Sequence, residues 1–192
     1  MYRDAIPRIA AFSNVARRLG VQVIHVGMCS LADGQSDSPA WLRFRWRVNR
    51  SYGGEPDGLW TAFAPGSWGA EFVPELQPES GDIQIQKFRS SAFHNTNLDL
   101  ILRANGIETV LVTGCETEGC VESTVRDLSF HDYFPIVLSD CVTSGVRELH
   151  EASLLVMGAY RADVVTSADV DEAWDTMGLV GPSPATEANT RI

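Results

Sequence analysis

Cys120 follows the glycine-bracketed loop Gly114-Cys115-Glu116-Thr117-Glu118-Gly119. It opens a run in which Val121, Thr124, Val125 and Leu128 recur at helical spacing. A cysteine at a helix start faces unpaired N–H groups and about half a positive charge, which favour thiolate over thiol. The same N–H groups can hold the oxyanion of a tetrahedral intermediate. Taken alone, such a residue is more often a small, inert part of a core, because free cysteine is among the most buried residue types. Lys87 changes that balance. It ends the strand pattern Ile83–Lys87, and the Cys120 loop ends the next one, Thr109–Thr113. In a parallel sheet the active site lies at the carboxyl ends of the strands, so a nucleophilic thiol and an ammonium group are expected at one mouth.

The elements that must position them alternate in type. Asp4–Leu19 reads as a helix with Ile9, Phe12, Ala16 and Leu19 inward and Pro7 in its first turn; Gly20 stops it. Val21–Val26 reads as a strand, and Asn95 or Thr96 caps a helix that buries Leu98, Ile101 and Leu102 before Gly106. Thr109–Thr113, the helix from Cys120 and the strand Ile136–Leu138 form a βαβ unit. A helix over Arg147–Tyr160, a strand over Ala162–Thr166 and a helix over Ser167–Met177 complete the series. Strands alternating with helices predict a doubly wound parallel sheet, a three-layer α/β/α fold. Residues 27–80 lose periodicity and gather Gly, Pro, Ser and Trp, so they are expected to form an ordered functional or interface excursion. A single domain over 1–178 and a disordered tail over 179–192 follow from length and composition.

Composition narrows the function. A net charge of −10 and a pI near 4.8 argue against a nucleic-acid partner. No apolar run approaches the ~20 residues of a membrane helix. Four scattered cysteines, Cys29, Cys115, Cys120 and Cys141, do not make a disulfide framework, so a reducing cytoplasm is expected. Cys115 and Cys120 are too far apart in sequence for a C-x-x-C redox or zinc pair. Trp41-Leu42-Arg43-Phe44-Arg45-Trp46-Arg47 interleaves bases and aromatics; in an acidic chain an interface or pocket lid is the better reading, with arginine available for a substrate carboxylate.

Three segments carry a resemblance: Lys87-Phe88-Arg89-Ser90-Ser91-Ala92-Phe93, Gly114 through Val121, and the acidic strand end at Asp140. With Gly66–Pro78, they resemble the isochorismatase-like cysteine hydrolases over roughly Asp4 to Met177. V-E-S-T-x-R-D and Y-F-x-I-V-L are most similar to ureidoacrylate and biuret amidohydrolases; Gly119 before Cys120 is similar to N-carbamoylsarcosine and maleamate amidohydrolases. The resemblance implies a small ureido, carbamoyl or amide substrate, Cys120 as nucleophile, and Lys87 as the cation beside it. It further implies a cis Cys115–Glu116 bond, an oxyanion hole from the backbone N–H groups of Glu116 and Cys120, and substrate contacts at Phe93 and Thr117. Homo-oligomers, dimers or tetramers, are also implied. No Asp-x-His pair of the nicotinamidase kind occurs, so no metal and no other cofactor is expected.

Two departures stand out. The family's first strand precedes the first helix and ends in a catalytic Asp, whereas this sequence begins at the helix; Asp4 does not match that motif, and no residue fills the position. The fold is therefore expected without that strand, between Val21–Val26 and Thr109–Thr113, and a start codon placed too far downstream is the preferred account. Glu116 also stands where relatives carry a small residue or Thr, and is expected to be solvated or ion-paired rather than a substitute carboxylate. A catalytically inactive homologue serving as a binding or oligomer-building subunit is the alternative to an amidohydrolase. Vinyl-ether hydrolysis of the isochorismate kind is disfavoured by the presence of Cys120.

Overall fold

The computed structural model describes residues 1–31, 34–51 and 63–179. Five strands and six helices occur among them: α1 (Tyr2–Arg18), β1 (Ile24–Met28), α2 (Pro39–Ser51), β2 (Ile83–Lys87), α3 (Leu98–Ala104), β3 (Thr109–Cys115), α4 (Glu122–Phe130), β4 (Phe134–Thr143), α5 (Arg147–Tyr160), β5 (Asp163–Val165) and α6 (Ser167–Thr176). Every strand pairing is parallel.

Helices cover both faces of the sheet. On one, Phe12 of α1 and Val170 of α6 pack with Leu138 and Cys141 of β4, and the Phe12 and Trp174 rings stack at 5.3 Å. On the other, Leu98 and Leu102 of α3, Val125 and Leu128 of α4 and Met157 of α5 pack on Ile85, Val112 and Val137. β4 runs between β3 and β5 under both layers, so Val137 and Leu138 have no exposure at all. Being buried on both faces explains its apolar run.

The helix ends follow local chemistry. Gly20 and Gly106 adopt φ of +75° and +63°, and the residue after each returns its N–H to the last turn, Val21 to Ala16 and Ile107 to Leu102, both at 2.9 Å. α1 starts earlier than expected, at Tyr2, which places Pro7 inside the helix rather than in its first turn.

The sheet is divided. β1 and β2 form a two-stranded sheet, β3, β4 and β5 a three-stranded one, and β1 and β3 each have one partner strand among the described residues. A cavity of about 790 Å³ runs between them, bounded by Ile24–Val26 of β1 and Thr109–Cys115 of β3. It lies where the resemblance puts the family's first strand. One ion cluster ties α1 to the smaller sheet: Arg17 donates to both oxygens of Asp82 at 3.1 and 2.7 Å, and His25 Nε2 lies 2.9 Å from Asp82 Oδ2. Beside that guanidinium the Asp82 carboxyl drops to about 2.

Two expectations change here. Asp140 is not a strand end: β4 continues to Thr143, and both Asp140 oxygens accept from Ser167, N–H at 2.8 Å and O–H at 2.7 Å, securing the start of α6. The Trp41–Arg47 run lies on a helix, α2, within the stretch read as aperiodic. Trp60 and the tail beyond Leu179 lie outside the described residues.

Candidate active site

Lys87 and Cys120 line the same inter-sheet cavity, at the carboxyl ends of their respective sheets. Lys87 is the last residue of β2, 5% exposed, and its Nζ donates to the carbonyls of Ser90 at 2.7 Å and Arg89 at 3.2 Å. The loop after the strand thus curls back over the ammonium group. No carboxylate lies within ion-pair distance of it among the described residues.

Cys120 does not itself begin an α-helix. Thr117–Val121 form a π-helical turn that runs directly into α4 at Glu122. The Glu116 carbonyl accepts from Gly119 N at 3.0 Å and Val121 N at 3.1 Å, closing the turn on either side of Cys120. The Cys115–Glu116 peptide bond is cis. Cys115 keeps solvent-exposed surface, but desolvation of its thiol, aided by the Glu116 charge, pushes its pKa up to about 12. Cys141 is buried and raised to about 11 for the same leading reason, with Asp140 contributing. Cys29 is buried too.

The two reactive-side loops interlock through the motif residues. Thr124 Oγ1 donates to the Cys120 carbonyl at 2.7 Å and accepts the Ala92 N–H at 3.0 Å. Ser91 donates to Asp127 and accepts from Phe93 N at 3.1 Å. The Ser-Ala-Phe segment and the V-E-S-T-x-R-D helix are therefore two halves of one joint. Sequence reading used both as recognition marks and missed this task; the i, i+3 spacing of Thr124 and Asp127 was the available signal.

The two residues expected at the substrate are placed elsewhere. Thr117 is fully buried, and its hydroxyl meets His150 Nδ1 at 2.8 Å. Phe93 packs into the core against the His131 and Tyr133 rings at 4.9 and 6.0 Å. Neither lines the cavity shared by Lys87 and Cys120. Glu116 is anchored by two segments: the Tyr2 hydroxyl of α1 lies 2.7 Å from each carboxylate oxygen, and Gly145 N donates to Oε2 at 3.2 Å. The carboxylates that do line the cavity are Glu75 and Glu108, the latter preceding the amino end of β3, away from Cys115.

Two of the α2 arginines, Arg45 and Arg50, pack within the protein, Arg50 over the Trp46 ring. Arg45 is 7% exposed, donates to Ser30 Oγ at 3.3 Å and stacks over Phe63, while Arg89 stacks over Trp41 at 4.7 Å. Such cation–ring contacts hold the excursion together. His25, His94, His131 and His150 stand apart, and no group of three or more His, Cys, Asp or Glu with metal-holding geometry occurs among the described residues. No helix among them is long and apolar enough to cross a membrane.

Comparison with known proteins places these features in context. The profile of the Isochorismatase domain matches residues 1–169. The ureidoacrylate amidohydrolase RutB of Caulobacter segnis is 37% identical over 184 residues, covering 92% of this chain and 74% of that protein. The enzyme of the same name from Yersinia enterocolitica is 40% identical over 139 residues, covering 70% of this chain and 60% of that one. Among solved structures, an N-carbamoylsarcosine amidase from Thermoplasma acidophilum superposes with a TM-score of 0.65 at 28% identity, covering 86% of this chain and 83% of that one.

Proposed function

The chain belongs to the isochorismatase domain family, and on that premise we propose that it is a cysteine-dependent amidohydrolase that cleaves a C–N bond in a small ureido, carbamoyl or amide compound. The observation that carries this reading is the shared cavity: a buried lysine and a cysteine on a π-helical turn open into one space at the strand ends. The relatives' names, ureidoacrylate amidohydrolase and N-carbamoylsarcosine amidase, supply the substrate class.

In this mechanism the Cys120 thiolate attacks the substrate carbonyl carbon. The carbonyl electron pair moves to oxygen, and the backbone N–H groups of Glu116 and Cys120 receive the negative charge. As the pair returns, the C–N bond breaks, the nitrogen leaves protonated as ammonia or an amine, and a thioester remains. Water then releases the acid and restores the thiol. Lys87, secured by the carbonyls of Arg89 and Ser90, holds a fixed positive charge at the mouth that favours the thiolate and orients an anionic substrate. All four cysteines are free, which supports a reducing compartment, the cytoplasm. Exposed apolar side chains, including Trp68 at 91%, Leu155 at 74% and Tyr160 at 76%, support assembly into a homo-oligomer.

The test is ammonia release from a panel of ureido, carbamoyl and amide compounds, with the Cys120→Ala variant beside it. Turnover that disappears in the variant supports the mechanism; turnover that survives it refutes Cys120 as the nucleophile. A second reading, an inactive homologue kept for binding or assembly, has one observation in its favour: among the described residues no carboxylate lies within ion-pair distance of Lys87, whose Nζ donates to two backbone carbonyls. Absence of turnover across the panel by a folded oligomer would support it.

A further inference from the structure

We infer that His150 is a positioning residue for the nucleophile, acting through Thr117. The inference rests on the reading of Cys120 as the reactive thiol. Thr117 is the first residue of the π-helical turn that carries Cys120, and it has no exposed surface. Its hydroxyl has one hydrogen-bond partner, His150 Nδ1 at 2.8 Å. Whether the hydroxyl gives its proton to Nδ1 or accepts one from it, the bond ties the turn to α5.

The same face of α5 grips Thr117 a second time. Ser153, three residues on from His150 and therefore beside it on the helix, donates to Glu122, and its oxygen lies 3.4 Å from the Thr117 carbonyl. The segment leading into α5 completes the hold: Ser144 Oγ donates to Glu118 Oε1 at 2.9 Å, and Gly145 N donates to Glu116. Glu116, Thr117, Glu118 and Glu122 each make a polar contact with residues 144–153. The turn closes on itself through the Glu116 carbonyl and through the Glu122 N–H, which reaches the Thr117 and Gly119 carbonyls; a π-helical turn is rare and short, so the side-chain hold on its flank adds to what fixes the cysteine. His150 is the only ring in that clamp, and its bond is the one that reaches a side chain with no other partner.

The experiment measures Cys120 directly. His150→Leu, His150→Asn and Thr117→Val are each compared with the parent for the rate of Cys120 alkylation by iodoacetamide, read by mass spectrometry. The thermal midpoint, and kcat and KM on whichever ureido or amide compound the parent turns over, are measured beside it. The exposed α5 residue Glu148, changed to Gln, serves as the control that leaves all rates unchanged. His150→Leu and Thr117→Val are expected to change the alkylation rate to a similar degree and to lower kcat about tenfold or more, with KM nearly constant, as misplacement of a reacting group does. His150→Asn puts a hydrogen-bonding group where Nδ1 stands and is expected to recover most of both. The double variant is expected to be no worse than either single one.

Parent-like alkylation and kcat in both His150→Leu and Thr117→Val would overturn the inference. So would additive effects in the double variant, or a loss that follows the thermal midpoint with no rescue by Asn. Because alkylation needs no substrate, a parent that hydrolyses nothing defeats the proposed function while this test still reads.

Discussion

The Ala92 N–H meets the Thr124 hydroxyl at 3.0 Å, and that contact joins the loop after the lysine strand to the helix behind the nucleophile. Thr124 spends its proton on the Cys120 carbonyl, so one side chain sets the cysteine's backbone and the lysine's loop together. The T-x-x-D spacing from Thr124 to Asp127 gains a physical meaning from this: Asp127 takes the Ser91 hydroxyl one turn further along.

Thr124→Val keeps the shape and removes both hydrogen bonds. It is expected to lower kcat/KM by about one to two orders of magnitude through misplacement of the pair. It is also expected to cost about 1–3 kcal/mol of stability, because the Ala92 N–H loses its acceptor. Thr124→Ser, which retains the hydroxyl, is expected to stay close to the parent in both. Steady-state kinetics with a urea titration checks the pair; a parent-like valine variant would refute the joint.

Cys120 is expected to be the first cysteine alkylated near neutral pH. The Cys115 and Cys141 thiols are pushed up to about 12 and about 11 by desolvation and nearby carboxylates, so both stay protonated and unreactive there. Cys29 is closed off by burial. Brief iodoacetamide labelling followed by peptide mapping decides the order, and earlier modification of Cys115 would contradict it.

Acid should expose the Arg17–Asp82–His25 cluster. Asp82 falls to about 2 in the folded protein, chiefly through its hydrogen bond to Arg17, against an ordinary aspartate value of 3.8. A depressed carboxyl contributes stability that is complete above its unfolded value and is lost as pH falls toward the folded one. Between about pH 4 and pH 2, the parent's stability is therefore expected to decline more steeply than that of Asp82→Asn. At pH 7 the variant is expected to be weaker by about 1–3 kcal/mol, since buried donors lose a charged acceptor. Parallel declines in a chemical-denaturation series over this pH range would exclude the assignment.

At micromolar concentration the protein is expected to run as a dimer or tetramer. Leu155 and Tyr160 on α5, with Phe130 and Phe134 at the adjoining ends of α4 and β4, leave more apolar surface open than scattered exposure explains. Multi-angle light scattering gives the mass, and a strictly monomeric species would count against assembly.

Strong periodicity made much of this legible. Ile83–Lys87 and Arg147–Tyr160 fall where alternation and helical spacing put them, because each buries one clear face. β4 was underestimated: Ser139 and Asp140 interrupt its apolar run, yet one donates to the Val165 carbonyl and the other accepts from Ser167, so polar residues extend a buried strand. α2 escaped notice because Arg45 is buried on it, held by Ser30 and the Phe63 ring, a tertiary arrangement that breaks the apolar stripe to be read. The pairing of Lys87 with Cys120 followed from strand ends alone. The misplacement of Phe93 and Thr117 had a different origin: family position was taken for side-chain direction, and the hydroxyl of Thr117 turns to a histidine more than thirty residues away that spacing could not connect.

The division of the sheet separates the two chemical partners onto different bodies. Lys87 is the tip of a two-stranded ribbon, while Cys120 rides on the three-stranded slab, and among the described residues no ladder of backbone hydrogen bonds passes between them. A two-stranded pair is marginal by itself and relies on what it leans against. The distance between ammonium and thiol is thus set at a seam, by Thr124, Ala92 and the packing of α3, not by a continuous ladder. Seams loosen before slabs melt, since local openings cost less than global unfolding. The working temperature of this site is accordingly bounded by the ribbon's adhesion to the slab, and heat inactivation should precede loss of the helical signal.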